Sequence, residues 1–135
     1  MYLLDTNACI ALIKGAASVR ARFEKAIASD AKVMVSAVVA FELWYGVGKS
    51  ARGESNAQLV ETFLAGPVSL LPLEFEDAKV AGRLRASLEV VGKPIGAYDV
   101  LIAGQALRHQ LTLVTANVRE FSRIKGLQWE DWAKT

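Results

Sequence analysis

Three carboxylates in this chain lie where a charge is costly. Asp5, Glu42 and Asp99 are each surrounded by apolar residues. An ionised carboxylate in such surroundings is unfavourable by several kcal/mol unless it is neutralised, paired or bound to a metal. Most other acidic residues have polar neighbours and are predicted to be solvated, namely Glu24, Glu54, Glu61, Glu74, Glu76, Asp77, Glu89, Glu130 and Asp131. The three apolar-flanked carboxylates predict a metal site assembled by folding.

The nature of that metal follows from the residues that are scarce. The chain has one histidine, His109, and one cysteine, Cys9. We expect Cys9 to be a small buried residue and His109 to be a solvated residue at a polar helix end. The ligands must therefore be oxygen atoms, which favour Mg²⁺ or Mn²⁺ over Zn²⁺. Such an ion can support attack of water on a phosphodiester.

Each of the three carboxylates also has a purely structural interpretation. Asp5 could cap the helix that follows it. Asp99 could interact with the dipole at the start of its helix. Glu42 is predicted in mid-helix, so its alternative is a salt bridge to an arginine. At the level of single residues these alternatives remain open.

Four further polar residues are candidates for the same site. Glu120 follows a predicted strand, although taken alone it suits a solvated surface. Asn117 could orient a metal-bound water or form a local turn. Thr6 and Thr115 could support the ligands with their hydroxyls, or be ordinary turn and strand residues.

Aromatic residues accompany two of the acidic positions. Tyr45 and Tyr98 could stack on bases, but buried packing is the expected role for each. Apolar bulk also surrounds Glu42, and the part that faces outward would bind a helix or a second subunit. The residues concerned are Phe41, Leu43, Trp44, Tyr45 and Val47.

Composition indicates one globular domain over residues 1–135. The apolar share is 53% and the charged share 22%, which is typical of a folded chain with its own core. The sequence lacks an apolar run of the ~18 residues that a membrane span needs, and its start lacks a basic leader, so we expect a cytoplasmic protein without a membrane partner. The net charge of +2 does not decide for or against nucleic acid. Basic residues cluster at Arg83, Arg85 and Lys93, and again at Arg119, Arg123 and Lys125.

Hydrophobic patterning predicts strands that alternate with helices. Strands are expected at 2–5, 32–36, 68–73, 111–115 and 127–129, and helices at 7–14, 18–29, 37–50, 53–65, 74–91 and 97–110. Asn7, Ser18 and Ser36 are the expected helix caps. The helix at 74–91 is expected to bury Phe75, Ala78, Leu84, Leu88 and Val91, whereas 117–125 is expected to be irregular and polar.

Alternation of this kind predicts an α/β fold with a parallel sheet. Strand carboxyl ends and helix amino ends share one edge of such a sheet, where ligands bind. Asp5, Glu42, Asp99 and the residues after the fourth predicted strand can therefore converge there.

Four segments of the chain resemble the PIN-domain ribonucleases, specifically the VapC-type toxins of bacterial toxin–antitoxin pairs. The segments are Leu3-Leu4-Asp5-Thr6-Asn7, Phe41-Glu42-Leu43-Trp44-Tyr45-Gly46, the stretch from Pro94 to Gly104, and the stretch from Leu113 to Phe121 followed by Trp129-Glu130-Asp131-Trp132. They occur in order and cover essentially the whole chain.

The resemblance implies a three-layer α/β/α sandwich with a central, mainly parallel sheet of four to five strands. It implies a Mg²⁺- or Mn²⁺-dependent endoribonuclease that cleaves structured RNA such as tRNA or rRNA loops. Asp5, Glu42 and Asp99 match the family's acidic triad. Many PIN domains place an aspartate soon after the fourth strand; here Asn117 holds that place and Glu120 is the nearest carboxylate.

Partners are implied in the same way. A VapB-type antitoxin would wrap the toxin and block its acidic site with a basic side chain. The toxin would form a homodimer within a complex that binds operator DNA through the antitoxin. Two other functions remain open at this point: a non-catalytic PIN-fold module that binds RNA or acts as a scaffold, and a DNA nuclease that uses the same site.

Overall fold

The computed structural model describes residues 1–134, which form five strands and seven helices. The strands are β1 (Tyr2–Leu4), β2 (Val33–Ser36), β3 (Ser69–Leu71), β4 (Thr112–Val114) and β5 (Trp129–Glu130). The helices are α1 (Thr6–Ile13), α2 (Ala17–Ala28), α3 (Ala37–Lys49), α4 (Gly53–Leu64), α5 (Phe75–Val90), α6 (Ala97–His109) and α7 (Val118–Phe121). None of these helices has the length and apolar character needed to cross a bilayer.

The strands form one sheet in the order β3-β2-β1-β4-β5, and every neighbouring pair is parallel. Leu3 and Leu4 are both fully buried in β1, as are Leu113 and Val114 in β4. Successive strand residues point to opposite faces, so burial of both members of each pair shows that helices cover both faces of the sheet. The predicted three-layer fold with a parallel sheet is therefore confirmed.

The carboxyl edge of this sheet collects the ends of the central strands. β1 and β4 are neighbours in register, with Leu4 opposite Val114. Their next residues, Asp5 and Thr115, consequently leave the sheet at the same level, and the Asp5 N–H donates to the Val114 carbonyl at 3.0 Å. Parallel pairing thus positions two candidate residues next to each other.

Helix α6 forms the buried helical part of the core. Its buried residues include Ile102, Ala103 and Gly104. A Cβ at Gly104 would lie 2.9 Å from the Cβ of Ala81 on α5, so glycine is required for the close approach of these helices. The position of Asp99 at the start of α6 is therefore held by tight packing.

Several predicted details of the helices were wrong. Asp5, rather than Asn7, caps α1, and Ser18 lies inside α2, where its hydroxyl donates to the Ala133 carbonyl at 3.1 Å. The stretch 117–125 contains the short helix α7, whose Phe121 is fully buried. Apolar residues within a polar stretch were sufficient to anchor a helical turn there. The cap at Ser36, which accepts from the Val38 N–H, is confirmed.

Helix α5 buries only part of the predicted face. Leu88 is buried and Leu84 packs against the core as predicted, but Phe75 is 89% exposed, Val91 is also exposed, and Asp77 and Ala81 are buried instead. The close contact with Gly104 selects the small Ala81, and polar partners on α6 compensate the charge of Asp77. The expectation that Asp77 is solvated was therefore wrong.

Candidate active site

Asp5 is a buried carboxylate directly after β1, with 5% of its surface exposed. Its Oδ1 accepts a hydrogen bond from the Ala8 N–H at 2.8 Å, which caps α1. Capping, one of the two interpretations open for this residue, is therefore real. It uses one oxygen of the carboxylate and does not exclude metal binding by the same group.

Burial is the main influence on the protonation of Asp5. It raises the pKa of the carboxyl above 3.8, and the negative charges of Glu42 and Asp131 add to that increase. The Thr115 side chain and the Ala8 N–H stabilise the charged form and partly oppose the rise in pKa. Residues 1–134 therefore support this carboxylate with hydrogen bonds, and none of their basic side chains forms an ion pair with it.

Glu42 lies on α3 and is half-buried. The Thr6 hydroxyl donates to its Oε1 at 2.7 Å, so Thr6 contacts a proposed ligand as expected. The alternative of a salt bridge to an arginine is not realised among residues 1–134, where Glu42 lies within 4.0 Å of no basic nitrogen.

Asp99 lies in the first turn of α6 and is half-buried. Its pKa is raised from 3.8 to about 6, first by burial and then by the negative charges of Glu120, Asp5 and Glu42. Each of those three carboxylates is thus close enough to act on Asp99. We call Asp5, Glu42, Asp99 and Glu120 the edge group.

Glu120 enters the edge group through α7, which follows β4. The Asn117 side-chain amide donates to Glu120 Oε2 at 3.1 Å, and the Asn117 N–H donates to Thr115 Oγ1 at 2.9 Å. Asn117 therefore connects Thr115 to Glu120, and Glu120 is the carboxylate that reaches the site. The structure brings all seven predicted site residues together at one edge of the sheet.

Asp131 is an acidic residue near the site, although its polar neighbours in the chain predict a solvated side chain. It is half-buried, and its charge raises the pKa of Asp5. The reason is topological: β5 pairs with β4 in parallel and ends at Glu130, so Asp131 leaves the sheet at the same edge as Asp5. A carboxylate two residues after the predicted strand at 127–129 was the signal available in the sequence.

Two aromatic residues beside the edge group are exposed, although buried packing had been expected. Tyr45 is 59% exposed and Tyr98 is 48% exposed. The Tyr98 ring packs edge-on against Phe41 with a centroid distance of 5.6 Å. Leu43, which lies on α3 with Phe41 and Tyr45, is buried in the core. The exposed face of α3 is consequently aromatic, and it lies next to Glu42.

A second group of acidic residues lies at the other end of α6. Ligand atoms of Glu74, Asp77 and His109 come within 4.8 Å of one another. Arg108 Nη1 already lies among them, 2.9 Å from Asp77 Oδ1 and 3.1 Å from Glu74 Oε1. We call these four residues the Asp77 cluster.

The Asp77 cluster behaves as an internal ion-pair network. Burial by itself would raise the pKa of Asp77, but the Glu74 N–H, Arg108, Gln105 and His109 outweigh it and lower that pKa. The Nε2 atom of His109 lies 3.1 Å from Asp77, so the expectation of a fully solvated histidine was wrong. A protein cation occupies the place that a metal would need, and this cluster is therefore the weaker metal candidate.

The edge group differs from the Asp77 cluster in the spacing of its carboxylate oxygens and in its local charge. Within residues 1–134 no three edge carboxylates bring ligand oxygens within 4.8 Å of one another. In the same range none of the four forms an ion pair with lysine, arginine or histidine. An all-oxygen donor set without a counter-charge suits a hard divalent cation that keeps some of its water ligands.

Comparison with known proteins agrees with this geometry. The family model described as "PIN domain" matches residues 2–127. The tRNA(fMet)-specific endonuclease VapC of Shigella flexneri is 41% identical over 133 residues, which cover 98% of both chains. The enzyme of the same name from Salmonella typhimurium is 39% identical over 97% of both chains.

Solved structures give the same result. A chain in the crystal structure of VapBC2 from Rickettsia felis, bound to a DNA fragment from its promoter, superimposes with a TM-score of 0.89 at 35% identity over 96% of both chains. A chain of DNA-bound VapBC from Salmonella typhimurium superimposes with the same TM-score of 0.89, at 39% identity over 97% of both chains. The chain belongs to the PIN-domain family and is an endoribonuclease of the VapC type.

Proposed function

We propose that this chain is a Mg²⁺- or Mn²⁺-dependent endoribonuclease that acts as the toxin of a toxin–antitoxin pair. The observation that carries the proposal is the state of Asp99. Its pKa is raised to about 6 by burial and by three other carboxylates, and no basic side chain among residues 1–134 pairs with it. Negative charge concentrated in this way is characteristic of a site that takes up a cation.

The proposed metal ligands are Asp5, Glu42 and Asp99. When bound, Mg²⁺ or Mn²⁺ would offset charge on the phosphate oxygens and make water more acidic. The spacing of the carboxylates is compatible with Mg²⁺, which usually retains several waters and uses few protein ligands.

The chain's own hydrogen bonds hold these groups in place. Thr6 orients Glu42, and the Ala8 N–H orients Asp5. Asn117 holds Glu120, which we propose orients the attacking water or accepts its proton. Ligands positioned before the substrate arrives reduce the reorganisation that the reaction requires.

The proposed substrate is structured RNA, with initiator tRNA as the first candidate. Two relatives that are 41% and 39% identical over nearly their whole length are named tRNA(fMet)-specific endonucleases. Recognition would use unpaired loop bases, which can stack on exposed aromatic rings such as Tyr45 and Tyr98. A ribosomal RNA loop is the alternative target of the same chemistry.

The proposed protein partner is a VapB-type antitoxin. An apolar groove that begins beside Glu42 is lined by α1, α3 and α4, through Ile10, Leu43, Val47 and Val60. An amphipathic antitoxin segment would fit there, with a basic side chain directed at the acidic site. VapBC2 of Rickettsia felis and VapBC of Salmonella typhimurium were crystallised bound to DNA, and we propose that the antitoxin of this pair contacts operator DNA.

We also propose that the toxin forms a homodimer, for which the exposed face of α3 is the candidate surface. Phe41, Trp44 and Tyr45 expose large aromatic side chains on this helix, and Tyr98 lies beside them. An apolar patch of this kind is typical of a protein interface.

The test is cleavage of RNA by protein purified free of antitoxin. Initiator tRNA, an elongator tRNA and ribosomal RNA are each incubated with Mg²⁺, with Mn²⁺ and with EDTA, and the products are mapped on a sequencing gel. We expect one main cut in initiator tRNA that requires the metal. Asp99→Asn should abolish it, whereas Asp30→Asn, which changes an exposed acid outside the edge group, should not.

Two outcomes would overturn the proposal. Cleavage that persists in EDTA would exclude the metal, and cleavage that persists in Asp99→Asn would exclude the edge group. If RNA binds but is cut under no condition, the chain is instead a non-catalytic RNA-binding module. A parallel digest of single-stranded DNA separates a ribonuclease from a DNA nuclease.

A further inference from the structure

We infer that three basic residues beside the acidic site, Lys93, Arg119 and Arg123, form a docking surface for the phosphates of the RNA substrate. We call them the basic rim. The inference rests on the proposed ribonuclease function and adds to it how a strongly acidic site holds a polyanion.

The position of the basic rim follows from one long-range contact. Arg123 Nη1 donates to the Pro94 carbonyl at 3.1 Å, which joins the segment after α7 to the loop before α6. Lys93 precedes Pro94 in that loop, and the loop leads directly into the helix that carries Asp99.

Arg119 extends the same surface along the other segment. It is adjacent to Glu120 in α7 and lies four residues before Arg123, which follows the end of that helix. Glu120 is close enough to Asp99 to raise its pKa, so this segment borders the edge group directly. The basic rim therefore lies along one side of the acidic site.

The charges of the basic rim are available to a ligand. All three residues are exposed, and none lies within 4.0 Å of a carboxylate in the described part of the chain. Several other arginines behave differently. Arg20, Arg22, Arg85 and Arg108 each pair with a glutamate or aspartate. The cations next to the site are thus left for an anion that is not part of the protein.

Electrostatics explains why an RNA substrate needs the basic rim. Four of the fourteen acidic residues lie in the edge group, where they repel phosphate, and ten remain against sixteen lysines and arginines. Attraction of RNA must come from that basic excess, and its effect is strongest when the cations border the site. Each phosphate that is neutralised also releases counterions, which makes the binding depend on salt.

The chain supplies a matched control for this inference. Lys25 and Lys32 are exposed and form no ion pair among residues 1–134. Lys32 directly precedes β2 and therefore lies at the amino edge of the sheet, opposite the edge group. Replacing both changes the net charge as much as replacing two residues of the basic rim.

The experiment compares Lys93→Gln/Arg119→Gln with Lys25→Gln/Lys32→Gln; Arg123 is retained so that its bond to Pro94 is kept. Binding of fluorescently labelled initiator tRNA is measured by anisotropy in EDTA at several salt concentrations. For the rim variant we expect about tenfold weaker binding and a salt slope smaller by about 1 for each residue. In cleavage assays KM should rise by a similar factor while kcat changes less than about twofold. The control variant should match the wild type in each measurement.

Failure of the inference can be distinguished from failure of the proposed function. If both variants bind RNA equally well, or if kcat falls and KM does not change, the basic rim is not a phosphate-docking surface. If the wild type cuts no RNA but the rim variant alone loses affinity, the docking surface stands and the nuclease proposal fails. Thermal melting of both variants checks that neither result reflects unfolding.

Discussion

Helix α6 connects two groups of carboxylates in which burial is accompanied by opposite pKa shifts. Asp99 in its first turn belongs to the edge group, and Arg108 and His109 at its end belong to the Asp77 cluster. Asp77 is fully buried, yet the Glu74 N–H, Arg108, Gln105 and His109 keep its pKa below 3.8. Asp99 is less buried, yet its pKa is raised to about 6. The difference is the presence of a cation from the protein itself.

That difference shows how a structural carboxylate can be distinguished from a functional one. Burial alone does not distinguish them, because both groups contain a nearly inaccessible aspartate. A carboxylate whose charge is balanced by the protein's own arginine needs no cation from solution. A carboxylate surrounded by other carboxylates has its charge balanced only when a cation from solution binds. This is the condition expected of a metal site.

The largest expected effect is the loss of activity in Asp5→Asn. The asparagine keeps an oxygen that can accept from the Ala8 N–H, so the cap of α1 and the fold should survive. Removal of one ligand charge should lower kcat by about 10²–10³-fold. Single-turnover cleavage of initiator tRNA measures this effect. Asp77→Asn, assayed on its folded fraction, should retain a kcat close to that of the wild type.

An Asp5→Asn protein that unfolds, with a refolded fraction that still cuts RNA, would show that Asp5 acts only as a cap. The comparison between the two groups would then fail at the edge group.

A smaller effect is expected on stability in Asp77→Ala. The substitution removes the acceptor of the Glu74 N–H and one of the acceptors of Gln105 and of Arg108, which keep the Pro72 carbonyl and Glu74 as partners. We expect the free energy of unfolding to fall by about 1–3 kcal/mol. Urea denaturation followed by circular dichroism measures it.

Glu76→Ala is the control for that substitution. Glu76 lies next to Asp77 on α5, but its only ion pair within the described residues 1–134 is an exposed one with Lys79 at 3.8 Å. Its removal should change stability by less than about 0.5 kcal/mol. Equal losses in the two variants would mean that the Asp77 cluster contributes no more than an exposed ion pair.

The smallest expected effect is a difference in pH dependence between the two aspartates, measured in EDTA. Asp99 holds its proton up to about pH 6 in the folded protein, whereas the unfolded chain releases it near 3.8. The folded state therefore binds more protons between these values, and the contribution of Asp99 to stability declines as pH rises from about 4 to 6. After allowance for solvent screening this amounts to about 1–2 kcal/mol.

Asp77 should show the opposite sign. Its lowered pKa means that its contribution is complete above 3.8 and is lost as the pH falls through the folded-state value. Urea midpoints of the wild type, Asp99→Asn and Asp77→Asn from pH 3 to pH 7 test both statements. If the urea midpoint of Asp99→Asn changed with pH between 4 and 6 in the same way as that of the wild type, the pKa of Asp99 would not be raised in the folded protein.

Much of this organisation could be predicted because the signals are local. Apolar runs on either side of Asp5, Glu42 and Asp99 marked them as unusual, and strands alternating with helices placed them at one edge of a parallel sheet. Thr6, Thr115 and Asn117 were candidates for the same reason. All of them reached the site because strand ends in a parallel sheet lie at one edge.

Asp77 and Asp131 could not be assigned from their neighbours in the chain. Asp77 follows Glu76 in a polar stretch, and its burial depends on Gln105 and Arg108, about thirty residues away. Asp131 approaches Asp5 only because β5 pairs with β4. The exposure of Tyr98 likewise depends on which face of α6 the other helices cover.

The sequence by itself determined which carboxylates have apolar neighbours, and the predicted kind of metal and kind of reaction rest on them. Those properties follow from residue type and immediate surroundings, which the chain carries whether it is folded or not. Only the tertiary structure decided which carboxylates lack a counter-charge. Arg108 compensates Asp77 because α5 packs tightly on α6, whereas the edge group gathers four negative charges from separate elements. Coulomb interactions depend on distance in space, and residues far apart in the chain come that close only after folding.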